Sequence, residues 1–267
     1  MLIRSRKLGG RVNPVTTTPI ADFGLQALPM PSLTDVRDLL RARRPAAAPY
    51  VVAITGSVAA GKSVFAGALA ADMAAWPEHP SVEIVRTDGF LLDNAALEAR
   101  GLTQRKGFPE SYDAEAMRAA LTAIRQGPAR FPAYSHVTYD VDPALARTLE
   151  RPEVLIVEGL GLQDDHGGLF DALIYLDADE VDLEAWFTER FIGLWAAAEH
   201  DPTSFYARFR DLDEAGARGF AKLVWAQINL PNLRGHIVRA RDLADIVIRK
   251  GPGHTIEAIE GKWATGR

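Results

Sequence analysis

Two observations predict an α/β fold with a mainly parallel sheet and helices on both faces for this 267-residue chain. Short apolar runs alternate with helical patterns from residue 50 onward, the signature of right-handed crossovers between parallel strands. Between the first run and its helix stands Gly56-Ser57-Val58-Ala59-Ala60-Gly61-Lys62-Ser63, which fits G-x-x-x-x-G-K-[ST] at every specified position. Together they narrow the class to the P-loop NTPase fold.

The elements follow in order. Residues 1–31 are expected to be irregular, because Pro14, Pro19, Pro29 and Pro31 interrupt any helix and Thr16-Thr17-Thr18 offers no helical stripe. A helix then starts at Ser32 or Thr34 as N-cap, carries Val36, Leu39 and Leu40, and runs to Arg44 before Pro45 and Pro49. YVVAIT (50–55) is a strand, SVFAGALAADMAAW (63–76) a helix stopped by Pro77, and VEIVRT (82–87) a second strand. Residues 113–127 form a helix with Asp113 as N-cap and Gly127 as its stop. EVLIVE (153–158) and ALIYLD (172–177) are further strands, helices follow near 180–198 and 212–228, and ADIVIR (244–249) is a late strand. With no repeat or linker after residue 50, the chain divides into an N-terminal extension, 1–49, and one P-loop domain, 50–267.

Composition removes whole classes of function. The absence of cysteine excludes disulfide scaffolds, thiolate metal sites and cysteine nucleophiles. A count of 30 Lys/Arg against 35 Asp/Glu, net −5, argues against a nucleic-acid partner. No run approaches the roughly 18 apolar residues of a membrane span. The start MLIRSRKLGGRV lacks the apolar stretch of a secretory signal. A cytoplasmic protein with neither membrane nor nucleic-acid partner is expected. Its charge is uneven: the first 44 residues hold eight Lys/Arg against three Asp/Glu, net +5, and the remainder is −10. Such a run reads either as a solvated tail and helix face or as an arm for an anion or partner.

The octet explains its own residue types. Its glycines let backbone N–H groups curl around phosphate oxygens, and the helix N-terminus adds its dipole. ATP is therefore expected on Gly56, Ser57, Val58, Ala59, Ala60, Gly61, Lys62, Ser63 and Val64, with Lys62 on the β- and γ-phosphates and the Ser63 hydroxyl on Mg²⁺. Three carboxylates end strands, where ligands of open α/β sheets bind. Glu158 reads as the Walker-B-like metal partner. Asp88 suits the orientation of a hydroxyl acceptor and the acceptance of its proton. Asp177 reads as a turn residue or N-cap. Phosphoryl transfer asks mainly for positioning and charge neutralisation, which Lys62, Mg²⁺ and one arginine supply.

Longer strings follow the P-loop in order: TDGF (87–90), KGFPESYD (106–113), YSHVTYD (134–140) and EGL (158–160). Over roughly residues 50–260 the chain resembles the bacterial type I pantothenate kinases, members of the P-loop kinase group that also holds phosphoribulokinases and uridine kinases. KGFPESYD and YSHVTYD are its most specific strings. The resemblance implies ATP- and Mg²⁺-dependent phosphorylation of pantothenate to 4′-phosphopantothenate, the first step towards coenzyme A, by a homodimer. It implies Asp88 as the residue that orients and deprotonates the pantothenate hydroxyl. Tyr134, His136 and Tyr139 would surround pantothenate, Asn229 would hydrogen-bond it, Arg190 would sit near the transferring phosphate or the substrate's polar end, and His254 near the adenine. Read without the resemblance, these positions stay open: His136 as a partly buried histidine, Tyr134 and Tyr139 as core aromatics, Arg190 as a surface helix residue, Asn229 as a helix-end cap, His254 as a loop residue.

Three positions depart from the family pattern. Phe187 stands where a tyrosine contacts pantothenate, Leu194 where an aromatic residue lines the tail pocket, and Gly67 where an arginine is associated with coenzyme A feedback. A weak response to coenzyme A is expected. The departures keep two alternatives: a kinase of another small hydroxyl acceptor (sugar, glycerate or nucleoside) and a non-catalytic nucleotide-binding regulator.

Overall fold

The computed structural model describes residues 31–163 and 168–263, so most of the basic stretch expected to be irregular lies outside the described residues. Along the chain come α1 (Leu33–Ala42), β1 (Tyr50–Gly56), α2 (Lys62–Ala74), β2 (Val82–Arg86), α3 (Asn94–Ala99), α4 (Ala114–Ile124), β3 (Ala129–Phe131), β4 (Tyr134–Ser135), β5 (Asp140–Val141), β6 (Arg147–Leu149), β7 (Val154–Glu158), β8 (Ala172–Ala178), α5 (Glu180–Ala197), α6 (Glu214–Val224), α7 (Leu230–Asn232), α8 (Arg239–Leu243), β9 (Ile246–Lys250) and β10 (Ile256–Glu260).

The main sheet runs β10-β9-β8-β1-β7-β2, parallel except for the edge strand β10. β1 and β7 are buried along their whole length, as strands covered on both faces must be. α2 packs on β1, β2 and β7, and α8 on β1 and β8. Each aliphatic side chain these strands bury contributes about 1.5–3 kcal/mol of hydrophobic stabilisation. Register then gathers the functional ends: Glu158 pairs with both Ile54 and Arg86, and Ala178 pairs with Lys250. The carboxyl ends of β1, β2, β7, β8 and β9 share one edge, where open α/β sheets bind ligands.

α1 starts after Ser32, whose Oγ donates to Asp35 Oδ2 at 3.0 Å and whose N–H donates to the same oxygen at 2.9 Å. Its Val36, Leu39 and Leu40 join the main core. The Tyr50 hydroxyl donates to the Leu40 carbonyl at 3.3 Å, so this helix is fastened to the first strand. α4 begins where Asp113 Oδ1 accepts from the Ala116 N–H at 2.8 Å. A second, aromatic core forms where α5 meets α6, from Phe191, Ala217 and Ala221 with Phe187, Trp195, Tyr206, Phe209 and Phe220 around them.

Several elements differ from the sequence expectation, each for a physical reason. The second strand stops at Arg86, because Thr87–Phe90 turns as a 3₁₀ helix. The helix expected near 212–228 instead stays helical to Leu243, through π turns at Trp225–Asn229 and Leu233–Ile237 on either side of α7. Pro231 lacks an N–H and crowds the carbonyl four residues back; a widened π turn accommodates both. Asp177 is neither a turn residue nor an N-cap. It lies inside β8, the cap is Asp179, and its carboxylate accepts from Arg241 Nε at 3.2 Å and Arg249 Nη1 at 3.4 Å. The pairs β3–β6 and β4–β5 are too short to show any alternation in sequence. Among the described residues, no helix is long and apolar enough to cross a membrane.

Candidate active site

The site starts from the backbone after β1. Gly56 has φ +143°, and a Cβ there would run into the Leu176 carbonyl of β8. Gly61, the residue before α2, has φ +84°, and Ala59 between them has φ +65°. This chain path is one that L side chains rarely follow, and it curls the loop. Lys62 Nζ donates back to the carbonyls of Gly56 at 3.2 Å and Ser57 at 2.8 Å. Burial pulls the Lys62 ammonium down to about 8; Glu158 and Asp88 oppose the shift and Arg190 adds to it. The Ser57 hydroxyl oxygen is buried without a hydrogen-bond partner. Val58 packs on the core, whereas Val64 lies exposed on the first turn of α2. The Ala60 carbonyl accepts from Lys250 Nζ.

Beside the loop, Ser63 Oγ donates to Glu158 Oε1 at 2.7 Å, and Arg86 Nε donates to the same oxygen at 3.1 Å. Glu158 is 4% exposed. The described residues hold no cluster of three or more His, Asp or Glu fit for a metal. A hydroxyl and one carboxylate nevertheless suit Mg²⁺, which takes hard oxygen ligands from one or two carboxylates and completes its shell with phosphates and water.

Asp88 sits in the 3₁₀ turn after β2. Its turn is packed tightly: a Cβ on Gly89 would meet the Pro132 carbonyl, and one on Gly159 would overlap the Thr87 hydroxyl. Among the described residues, the Asp88 carboxylate has no hydrogen bond or ion pair, and neither has the Arg190 guanidinium on α5. Both charges converge on one region. Asp88 acts electrostatically on Lys62, Lys106, Tyr112, Tyr134, His136 and Tyr139, and Arg190 on Lys62, His136, Tyr139 and Tyr206.

The other wall is the turn between β4 and β5. Lys106 Nζ donates to the Tyr139 carbonyl and to Asn94 Oδ1, both at 2.7 Å, and lies 4.9 and 4.6 Å from the Tyr134 and Tyr139 ring centres. Tyr134 also meets His136 edge-on at 5.2 Å. Tyr139, at φ +57°, stacks on Phe205 at 4.2 Å. A non-glycine residue held there stores strain of about 1–3 kcal/mol, a feature that clusters at functional sites. Burial raises the Tyr139 phenol to about 12. It lowers His136, against the pull of Asp88.

The structure thus brings Lys62, Ser63, Asp88, Glu158, Arg190, Tyr134, His136 and Tyr139 together. Asn229 is not joined to them by any hydrogen bond or ring contact among the described residues; it lies in a π turn with its Nδ2 buried and unpartnered. His254 belongs to the phosphate-loop side, with Nδ1 3.8 Å from where a Gly61 Cβ would lie. It too holds a positive φ, +60°, and it stacks on Trp186 at 3.7 Å. Phe187 packs against Trp225, and Gly67 faces open space on α2. Sequence reasoning missed Arg86, Trp186, Tyr206 and Lys250. For Arg86 and Lys250 a signal existed, a cation closing an apolar strand at the ligand edge of the sheet. Trp186 and Tyr206 carried none.

Residues 51–187 match the family model described as the phosphoribulokinase/uridine kinase family. The chain is similar to the pantothenate kinase of Sorangium cellulosum, 43% identical over 237 residues, 85% of this chain and 77% of that protein. It is also similar to that of Leifsonia xyli subsp. xyli, 43% identical over 226 residues, 81% and 70% of the two chains. Among solved structures, D-glycerate 3-kinase from Cryptococcus neoformans superposes with a TM-score of 0.61 at 11% identity, over 86% of this chain and 98% of that one, a likeness of fold.

Proposed function

This chain belongs to the phosphoribulokinase/uridine kinase family, and on that premise we propose that it transfers the γ-phosphoryl group of ATP to the hydroxyl of pantothenate. The products are 4′-phosphopantothenate and ADP. ATP lies with its phosphates on residues 56–64 and its adenine towards His254. Ser63 and Glu158 hold Mg²⁺, which when bound neutralises phosphate charge. Tyr134, His136, Tyr139 and Asn229 hold pantothenate, and the uncommitted Asp88 carboxylate accepts the proton of its hydroxyl. The hydroxyl oxygen forms a bond to the γ-phosphorus as the bond from that phosphorus to the β-phosphate oxygen breaks. Lys62 and Arg190 neutralise the charge that spreads over the transferring group, the main task in a loose transition state. We take the enzyme to be a cytoplasmic homodimer.

The observation that carries this reading is the meeting of the two most specific segments, 106–113 and 134–140, in Lys106 against the Tyr134 and Tyr139 rings, within the electrostatic reach of Asp88. Phe187, which lacks a hydroxyl, favours a second reading in which the same machinery serves a sugar, glycerate or a nucleoside. ADP release with pantothenate set against that panel decides between them. Pantothenate is expected to give the highest kcat/KM, and turnover confined to another acceptor would sink the leading reading.

A further inference from the structure

Lys250 closes β9 and is 7% exposed, yet no carboxylate lies within 4.0 Å of its ammonium among the described residues. Buried lysines are rare unless paired, because an uncompensated charge is expensive away from water. Its Nζ donates to the Ala60 carbonyl at 2.8 Å, lies 3.2 Å from His254 Nδ1, and sits 5.6 Å from the Trp186 ring centre. It stands so close to the phosphate loop that a Cβ on Gly61 would lie 2.9 Å away. The Ala60–Gly61 peptide is therefore held from one side only. Its carbonyl is pinned by a cation, while among the described residues the Gly61 N–H has no acceptor.

We infer that Lys250 is a positioning residue of the phosphate site, which fixes and polarises the Ala60–Gly61 peptide so that the Gly61 N–H donates more strongly to a nucleotide phosphate. A peptide whose carbonyl accepts from a cation becomes a better N–H donor, because hydrogen bonds in a chain polarise one another at low dielectric. The nucleotide's negative charge in turn compensates the buried ammonium. The same side chain ties the turn that carries His254 to the phosphate loop, so one residue spans both ends of the nucleotide. The inference rests on the nucleotide reading above and goes beyond it by assigning Lys250 a part.

Calorimetric titration of ADP into the parent protein and Lys250→Met, with the pantothenate KM measured alongside, tests it. ADP should bind the variant at least about tenfold more weakly, with the pantothenate KM within about twofold of the parent. Lys250→Gln keeps an N–H donor for the buried carbonyl and drops the charge; it guards against a folding failure of the Met variant and is expected to lose ADP affinity likewise. ADP affinity within about twofold of the parent in either folded variant, or equal losses at both sites, overturns the inference. Absence of ADP binding by the parent overturns the nucleotide reading and the inference with it.

Discussion

Gly159→Ala is the sharpest steric test of how the Asp88 turn is held. Gly159 follows Glu158 at φ +147°, and a Cβ there would lie 3.0 Å from Thr87 Cβ, 3.3 Å from the Thr87 N and inside the radius of its hydroxyl oxygen. Two costs add. The backbone conformation is one that glycine alone adopts freely, worth about 1–3 kcal/mol for any other residue. Overpacking against Thr87 adds about 1–3 kcal/mol more. Together they lower Tm by roughly 5–20 °C at this chain length, and they displace the residue next to Asp88, so kcat falls as well. Thr87→Ala removes the buried hydroxyl that the new methyl strikes. In the double variant the clash with the hydroxyl is relieved, while the close approach to Cβ and N of residue 87 and the backbone part remain, so the two changes are coupled by about 1–3 kcal/mol. Thermal unfolding of the four proteins measures this coupling. Additivity within about 0.5 kcal/mol, or a Gly159→Ala protein as stable as the parent, would refute the reasoning.

Other outcomes follow from the same geometry. Asp88→Asn should lower kcat by about 10²–10⁴ while ADP affinity, read by calorimetry, stays near the parent value; near-normal turnover would remove Asp88 from the role of base. Phe187→Tyr should lower the pantothenate KM by about 2–10-fold if the added hydroxyl makes its hydrogen bond, and an unchanged KM would show that it makes none. Gly67→Ala should raise stability by about 0.5–1 kcal/mol, since Gly67 lies inside α2 facing open space; a lower Tm would contradict that placement.

Much of the site was legible because local rules carried it. The octet 56–63 lies between a buried strand and a helix, and Ser32 and Asp113 both begin helices as their side-chain oxygens require. The strands 153–158 and 172–177 were visible as apolar runs, since both faces of each are covered. What failed needed tertiary knowledge. The pattern near 212–228 shows no continuation, and the helix runs on past Pro231 to Leu243 through the π turns on either side of α7. Asp177 reads as a turn residue because its partners Arg241 and Arg249 lie 64 and 72 residues away. Lys250 follows the apolar run 244–249 as a strand-end cation, but its place behind the phosphate loop, 190 residues earlier in the chain, comes only from the sheet.

The central claim is that phosphate moves from ATP to pantothenate at Asp88. Incubation with γ-labelled ATP and pantothenate, followed by mass analysis of the products, tests it most directly. The account predicts labelled 4′-phosphopantothenate in amounts matching the ADP formed, and its near-disappearance in Asp88→Asn. ADP formation with the label left in free phosphate, or equal labelled product from the Asp88→Asn protein, would contradict it.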